Sequence, residues 1–218
     1  MYQYILFDLD GTITNPQEGI TKSIQYALKH MGIEADDLEL LAKYIGPPLR
    51  DCFSTDYGFD EEETEQAIRY YREYYAKMGI FQNQPYQGIN EMLSRLVKEG
   101  KKLLIATSKP EVFAKQIMDH FDLSRYFIDV CGSTFDASRE KKGDVIRYAL
   151  SKNNITELNQ VVMIGDRYHD IMGAKENEIA SIGVLYGFGS SGEFVEHGAD
   201  RVVETVEELT EMLLMQFQ

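Results

Sequence analysis

The fold of this chain is set by its first apolar stretch, Tyr4-Ile-Leu-Phe-Asp-Leu-Asp-Gly-Thr12. The apolar half predicts a buried strand, and the glycine predicts a tight turn directly after it. Because side chains alternate along a strand, we expect Asp8 and Asp10 to project together from its carboxyl end. Ligands of open α/β sheets bind at that end. Two carboxylates held together there repel each other unless a cation lies between them or one keeps a proton. The pair therefore predicts a catalytic or metal-binding role for these two aspartates rather than a purely structural one.

The composition limits the class of protein. The 218 residues are 44% hydrophobic, which is enough for one large domain or for one domain with a smaller insertion. The formal net charge of −14 argues against nucleic acid and anionic membrane surfaces as partners, because both require basic patches. An anionic small substrate is compatible with this charge, since a metal ion and a few local cations can reverse the field inside a cleft.

The two cysteines, Cys52 and Cys131, have no CxxC spacing. We expect them to be reduced, structural thiols. The chain begins directly with the predicted strand, without the pattern of a signal peptide, and it contains no apolar run near the roughly 18 residues that a membrane span needs. These observations predict a cytoplasmic protein.

Hydrophobic periodicity divides the chain into two parts. Residues 15–86 show several helical patterns in a row, whereas residues 1–14 and 87–218 alternate strand and helix. The predicted helices span residues 18–31, 36–45, 60–78, 89–98, 111–120, 142–151, 170–177 and 206–217, with a short one at 49–53; after the first strand, the predicted strands span residues 102–106, 126–131, 160–164, 180–185 and 201–203. The alternation implies a Rossmann-like, doubly wound α/β core with a parallel sheet and right-handed crossovers. We predict that residues 15–86 form an inserted α-helical cap domain, a lid over the carboxyl edge of the sheet.

A second pair of acids follows the predicted strand at 160–164. Asp166 and Asp170 are four residues apart, so they share one face at the start of the next helix. Helix capping alone would explain one of them. With Asp8 and Asp10 they make four carboxylates at the carboxyl ends of two parallel strands, a hard, oxygen-rich site that suits Mg²⁺.

Two further signals are weaker by themselves. Thr107 and Ser108 end the strand at 102–106, where hydroxyls and exposed N–H groups can hold phosphate oxygens, although Thr-Ser before Pro110 is also an ordinary helix start. Lys141 and Lys142 open a later helix, and solvated lysines are the default interpretation of such a pair.

The order of these segments resembles the four motifs of the haloacid dehalogenase superfamily of aspartate-nucleophile hydrolases: Asp-x-Asp-Gly-Thr, strand-Thr-Ser, Lys and Gly-Asp-x-x-x-Asp. The resemblance covers essentially the whole chain, including a helical cap between the first two motifs. Within the superfamily the chain looks most like the phosphoglycolate phosphatase-like branch, which includes 5′-nucleotidases. That likeness is carried by the stretch from Asn15, the Gly46-Pro-Pro-Leu-Arg turn and the Gly187-Phe-Gly-Ser-Ser loop.

The resemblance implies a Mg²⁺-dependent phosphoric monoester hydrolase that acts on a small phosphorylated metabolite through an aspartyl-phosphate intermediate. Asp8 would be the nucleophile, and Asp10 would protonate the leaving oxygen and later deprotonate the attacking water. The ion would be held by the Asp8 side chain, the Asp10 main-chain carbonyl and Asp166, with Asp170 supporting the metal shell. The implied phosphate-binding residues are Gly11, Thr12, Thr107, Ser108, which stands where Asn is more frequent, and Lys142, with Lys141 as the fallback.

The resemblance and the local charges lead to two further expectations for Asp10, the implied general acid. Family members that cleave carbon–halogen or carbon–phosphorus bonds generally lack an acid at the Asp10 position, so its presence favours phosphate esters. We expect a raised pKa for Asp10, caused by its crowded carboxylate neighbours.

Arg50 could reach the far end of a substrate from the cap, but a solvated or cap-stabilising role is equally compatible with its position.

Other functions fit the same motifs. A 5′-nucleotidase or a sugar phosphomutase could use this scaffold, and a receiver-like signalling domain also combines clustered aspartates and a lysine on a parallel sheet. Receivers carry no helical insertion after the first strand, which disfavours that alternative. The sequence identifies neither the ester nor the oligomeric state, for which we expect a monomer or a homodimer.

Overall fold

The computed structural model of the chain describes residues 2–46, 49–136, 138–139 and 141–215. It divides into two compact units, one formed by Met1–Asn15 with Pro85–Gln218 and the other by Pro16–Gln84. The strands are β1 (Tyr4–Phe7), β2 (Thr14–Asn15), β3 (Gln84–Pro85), β4 (Lys102–Pro110), β5 (Phe127–Ser133), β6 (Val161–Gly165), β7 (Ala180–Val184) and β8 (Arg201–Val203). The α-helices are α1 (Gln17–His30), α2 (Leu49–Asp51), α3 (Glu61–Lys77), α4 (Ile89–Lys98), α5 (Glu111–His120), α6 (Lys142–Lys152), α7 (Tyr168–Glu176), α8 (Ser191–His197) and α9 (Val206–Leu214).

The first unit is built on a six-stranded sheet in the order β5-β4-β1-β6-β7-β8. Its strand pairs are parallel, so the predicted α/β class with a parallel sheet is confirmed. The central strands are apolar along their length because helices cover both faces of such a sheet. Ile5, Leu6 and Phe7 of β1 are fully buried, as are the residues of β6 from Val161 to Ile164.

The register of the central strands brings distant parts of the sequence together. Phe7, the last residue of β1, lies opposite Ile105 of β4 and Ile164 of β6. Because the three strands run in parallel, the residues that follow these positions leave the sheet side by side at one edge. The sheet therefore places the aspartate turn after β1 between the end of β4 and the end of β6.

The second unit consists mainly of α1 and α3. Asp60 begins α3 with a capping box, in which its carboxylate accepts the Glu63 N–H and the Glu63 side chain accepts the Asp60 N–H. Tyr71 and Tyr75 are buried and stack with ring centroids 5.5 Å apart. Their burial shows that these two tyrosines pack between helices.

Several predicted boundaries are wrong. Residues 36–45 do not form an α-helix but end in a short 3₁₀ turn, Leu40–Tyr44, because the Asp37 carboxylate accepts the Glu39 N–H and competes with helical pairing. The predicted helix at 49–53 is the three-residue α2 followed by a π-helical turn, Cys52–Asp56. The strand predicted at 102–106 continues to Pro110, and α9 ends at Leu214, although residues 216 and 217 of its predicted span lie outside the described residues.

Helix α8 was not predicted from the sequence. Ser190 caps this helix by accepting the Glu193 N–H, and Gly198 ends it in the left-handed conformation with φ of 74°. A serine followed three residues later by glutamate, with a glycine after the last turn, is a recognisable pair of helix signals. Within the described part of the chain, no helix combines the length and the apolar character that a membrane span requires.

Candidate active site

The turn after β1 is shaped by Gly11. Its φ of 81° is left-handed, and its N–H donates to the Thr14 carbonyl at 2.8 Å. A Cβ atom at this position would also collide with the carboxylate of Asp166. Glycine is therefore required both for the backbone conformation and for the close approach of the turn to the end of β6.

Three carboxylates converge at this edge of the sheet. Asp8, Asp166 and Asp170 each offer one oxygen, and these oxygens lie within 4.8 Å of one another. Asp166 and Asp170 are almost completely buried. One Asp166 oxygen accepts the Phe188 N–H at 2.9 Å, whereas the other has no hydrogen-bond partner among the residues that the structure describes. An unpartnered buried carboxylate oxygen is costly, and a hard cation would offset that cost, so this donor set fits Mg²⁺.

Lys142 links two of these carboxylates. Its ammonium lies 2.8 Å from Asp8 Oδ1 and 2.8 Å from Asp170 Oδ1, and it donates to the Ala106 carbonyl at 3.1 Å. The Lys142 side chain is only 4% exposed. The neighbouring Lys141 is exposed and forms the N-terminal boundary of α6. The structure therefore brings Lys142, rather than Lys141, into the carboxylate cluster.

Burial and mutual repulsion control the protonation of these groups. Burial raises the pKa of Asp166 well above its ordinary value, with further contributions from Asp170 and Asp8. Burial also raises the pKa of Asp170, to about 6, although Lys142 opposes the shift. Burial would lower the pKa of Lys142, but the charges of Asp170 and Asp8 outweigh it and raise that pKa. The two carboxylates therefore favour the charged form of Lys142.

Asp10 has a different partner. Its carboxylate lies outside the group of three converging oxygens and forms an ion pair with Lys109, whose Nζ is 2.5 Å from Asp10 Oδ2. The pKa of Asp10 is raised, in the predicted direction, but burial is the main cause. Asp8 adds a smaller contribution, and Lys109 opposes the shift. The expected cause, crowding by carboxylates, is thus secondary.

The predicted phosphate-binding residues differ in their surroundings. Thr107 is buried, and its hydroxyl accepts the Lys109 N–H at 3.2 Å, whereas Ser108 is exposed. Thr12 is fully buried, and its hydroxyl has no hydrogen-bond partner within the described residues. Its carbonyl accepts the Tyr186 hydroxyl at 3.1 Å. The hydroxyls of Thr12 and Thr107 can therefore each donate a hydrogen bond to an incoming oxyanion.

Arg50, the residue predicted to contact substrate, lies in the second unit, Pro16–Gln84, which we call the helical unit. It forms ion pairs with two glutamates of α3. Its guanidinium lies 2.8 Å from Glu61 and also contacts Glu65. The arginine side chain is about half exposed. These pairs support the alternative that Arg50 stabilises the helical unit.

Three features of the site were not predicted from the sequence: Lys109, the Phe188 N–H and the Tyr86–Tyr186 pair. Lys109 could have been suspected because it follows Thr107-Ser108 at a strand end. The Phe188 N–H holds Asp166, and Gly187 permits this because a Cβ there would collide with the Gly11 carbonyl and with Asp166. Tyr86 and Tyr186 form an edge-to-face pair with centroids 5.1 Å apart beside the aspartate turn, and no local signal announced that pair.

Comparison with known proteins agrees with this geometry. Residues 5–184 match the family described as haloacid dehalogenase-like hydrolase. The chain is 47% identical over 196 residues to a 5′-nucleotidase of Pseudomonas aeruginosa, covering 90% of this chain and 88% of that protein. It is 26% identical over 219 residues to a phosphoglycolate phosphatase of Vibrio parahaemolyticus, covering 96% and 95%.

A solved structure described as a predicted phosphatase from Clostridium acetobutylicum has a TM-score of 0.93 and 48% identity to this chain, covering 98% of this chain and 99% of that one. The match to the family extends over most of the sheet and includes Asp8, Thr107, Lys142 and Asp166. The chain therefore belongs to the haloacid dehalogenase-like hydrolases, as a phosphatase of that family.

Proposed function

We propose that this protein hydrolyses a small phosphate monoester in the presence of Mg²⁺, through an aspartyl-phosphate formed on Asp8. The observation that carries the proposal is the convergence of Asp8, Asp166 and Asp170 at one sheet edge with Lys142 bridging two of them. A buried cluster of like charges with an embedded lysine is expensive for a fold to maintain. It is suited to a reaction in which an anionic nucleophile must approach an anionic phosphate.

Asp8 is the proposed nucleophile. Its carboxylate attacks phosphorus, a bond forms between the Asp8 oxygen and phosphorus, and the ester bond to the leaving oxygen breaks. Lys142 orients this carboxylate through its 2.8 Å contact and offsets the charge of the transferring phosphoryl group. The hydroxyls of Thr12 and Thr107 are proposed to donate to phosphate oxygens, together with the backbone at Gly11 and the side chain of Ser108.

Asp10 is the proposed general acid and base. It donates a proton to the leaving oxygen in the first step, and in the second step it takes a proton from the water that hydrolyses the aspartyl-phosphate. The raised pKa of this buried carboxyl supports the first role, because the acid must hold a proton before transfer.

Mg²⁺, when bound, would be held by Asp8, the Asp10 main-chain carbonyl and Asp166, with Asp170 supporting the shell, and would neutralise charge on the phosphoryl group. The unpartnered Asp166 oxygen supports this assignment. We propose that the helical unit acts as a cap domain that excludes water and selects the substrate. The cytoplasmic location and the monomeric or homodimeric state stay predictions.

Two substrate classes are favoured by different observations. Phosphoglycolate is the first, because the motifs resemble the phosphoglycolate phosphatase-like branch. Nucleoside 5′-monophosphates are the second, because the relative named 5′-nucleotidase is 47% identical to this chain, whereas the one named phosphoglycolate phosphatase is 26% identical. Phosphate release from a panel of both classes and of sugar phosphates, with Mg²⁺ present, distinguishes them through kcat/KM.

The Asp8→Asn variant tests the mechanism. We expect it to fold, to bind Mg²⁺ weakly and to lose turnover of every ester in the panel. The matched control is Asp36→Asn, which changes an exposed aspartate of the helical unit in the same way. Turnover by Asp8→Asn comparable to that of Asp36→Asn, or hydrolysis by the wild type that chelation of divalent ions leaves unchanged, would overturn the proposal.

A further inference from the structure

β4 contains a bulge where the candidate active site begins. Ala106 lies opposite Cys131 of β5, but Pro110 lies opposite Ser133, so four steps along β4 match two along β5. Residues 107–109 of β4 therefore stand opposite the single residue Gly132 of β5, an excess of two residues, and they include Thr107 and Lys109. Bulges beside active sites redirect side chains that the regular pleat would send elsewhere. This one turns the Lys109 side chain toward the aspartate turn after β1.

The backbone of the bulge is held on two sides. The Lys109 N–H donates to the Thr107 hydroxyl at 3.2 Å. On the other side, a Cβ at Gly132 of β5 would lie 2.6 Å from the Lys109 carbonyl oxygen and 2.6 Å from the Glu111 Cα. Because these are backbone atoms, they cannot shift without distorting the bulge. The absence of a side chain at Gly132 therefore allows β5 to pack directly against it. These two contacts therefore fix the backbone position of Lys109.

The ammonium of Lys109 forms an ion pair with Asp10. Its Nζ lies 2.5 Å from Asp10 Oδ2, and the two side chains are only 7% and 17% exposed. The other oxygen of Asp10, Oδ1, is buried and has no hydrogen-bond partner among the described residues. Immobilising a long lysine side chain costs conformational entropy, which the fixed backbone and the buried charge pair offset.

We propose that Lys109 is a positioning residue that holds the Asp10 carboxyl through Oδ2, so that Oδ1 faces the leaving oxygen of the ester. The inference rests on the proposed function, in which Asp10 is the acid. The two buried lysines then divide the site between them. Lys142 contacts Asp8 and Asp170, on the side where the phosphoryl group is transferred, whereas Lys109 contacts Asp10, on the side of the leaving group.

A comparison of leaving groups tests this division. An alkoxide leaves only with a proton, whereas 2,4-dinitrophenolate leaves without one. We compare kcat/KM because it reports transfer to Asp8 before the covalent intermediate is hydrolysed. For Lys109→Met, we expect kcat/KM to fall roughly 10- to 100-fold on the alkyl phosphate that the wild type hydrolyses best. On 2,4-dinitrophenyl phosphate we expect it to change by less than about threefold, since no acid is needed there.

Three further variants complete the experiment. Asp10→Asn, the reference, should show the same selectivity with a larger loss, roughly 100- to 10,000-fold on the alkyl ester. Lys142→Met, the matched control, should lose activity on both esters alike. Lys109→Arg should recover part of the alkyl-ester activity because it keeps the charge. Lys109→Gln replaces Lys109→Met if the latter does not fold, and the same selectivity is expected of it.

The outcomes separate the inference from the proposed function. Selective loss in both Lys109→Met and Asp10→Asn supports it. Equal losses on the two esters in Lys109→Met, or no loss, with selectivity retained in Asp10→Asn, overturn the positioning role alone. If Asp10→Asn itself loses both esters equally, the acid role in the proposed function fails and the inference fails with it.

Discussion

Replacement of Lys142 by methionine should destabilise the metal-free protein strongly. Methionine keeps most of the length of the side chain, whose Cγ is packed close to Gly173 of α7, but removes the charge that lies 2.8 Å from both Asp8 and Asp170. Removing one partner of a buried ion pair typically costs about 3–5 kcal/mol, because the other partner stays buried without compensation. Two carboxylates lose their cation here, so we expect the upper part of that range.

Urea unfolding in the presence of a chelator measures this loss. With a slope near 3 kcal/mol per molar urea, a loss in the upper part of this range, about 4–5 kcal/mol, lowers the midpoint by about 1.3 to 1.7 M. The control is Lys141→Met, which changes the adjacent, exposed lysine and should alter stability by no more than about 0.5 kcal/mol. Adding Mg²⁺ should restore part of the stability of Lys142→Met, since a cation would again lie among the carboxylates.

A double variant provides the refutation. If the loss comes from unpaired carboxylates, adding Asp170→Asn to Lys142→Met should recover about 1–3 kcal/mol, because close, coupled residues are not additive. The electrostatic argument is wrong if Lys142→Met unfolds at the same urea concentration as Lys141→Met, or if the second substitution lowers stability further by its full separate effect.

Gly11→Ala should cost about 1–3 kcal/mol in urea unfolding and should also lower turnover. The control is Gly32→Ala, because Gly32 has the same φ of 81° but a Cβ there would meet no atom within 4 Å. This variant should show the backbone strain and leave turnover unchanged, and equal turnover losses in the two variants would contradict the reasoning. Asp166→Asn should abolish the rise in Tm that Mg²⁺ produces in the wild type, and a retained rise would exclude Asp166 as a ligand. Burial raises the pKa of Cys52 and of Cys131 to about 12, so about one in ten thousand of each is thiolate at pH 8. Ellman's reagent should therefore react with two thiols only after unfolding, and rapid reaction of the folded protein would contradict the burial.

Local patterns determine the layout of the core unit. Continuous apolar runs predict strands buried on both faces, and runs with a 3.6-residue period predict the helices between them. Helices α4 and α5 occupy the predicted residues, and β8 does as well. Because parallel strands end at a common edge, the sequence also predicts that Asp8, Thr107 and Asp166 lie at the carboxyl edge of the sheet. These properties depend on periodicity and chain order, which are present in the sequence itself.

Segments with weak periodicity are harder to predict. Around residues 36–45 the apolar spacing suggests a helix, yet side-chain oxygens near its start compete for the backbone N–H groups. α8 was missed because only seven residues carry the pattern, although its serine cap and terminal glycine were visible. In both segments a few hydrogen bonds decide the structure, and hydrophobic spacing does not record them.

The sequence by itself determined the α/β class, the strand ends that carry acids, and the family likeness. Only the tertiary structure decided between Lys141 and Lys142, because adjacent lysines have the same chemistry and the rotation of α6 on the sheet selects the one that faces Asp8. It alone paired Lys109 with Asp10, because that contact needs a bulge set by the register of β4 against β5. It also showed that burial is the main cause of the raised pKa of Asp10. The register of β4, the rotation of α6 and the burial of Asp10 arise from contacts between residues that are distant in sequence, and no local pattern encodes such contacts.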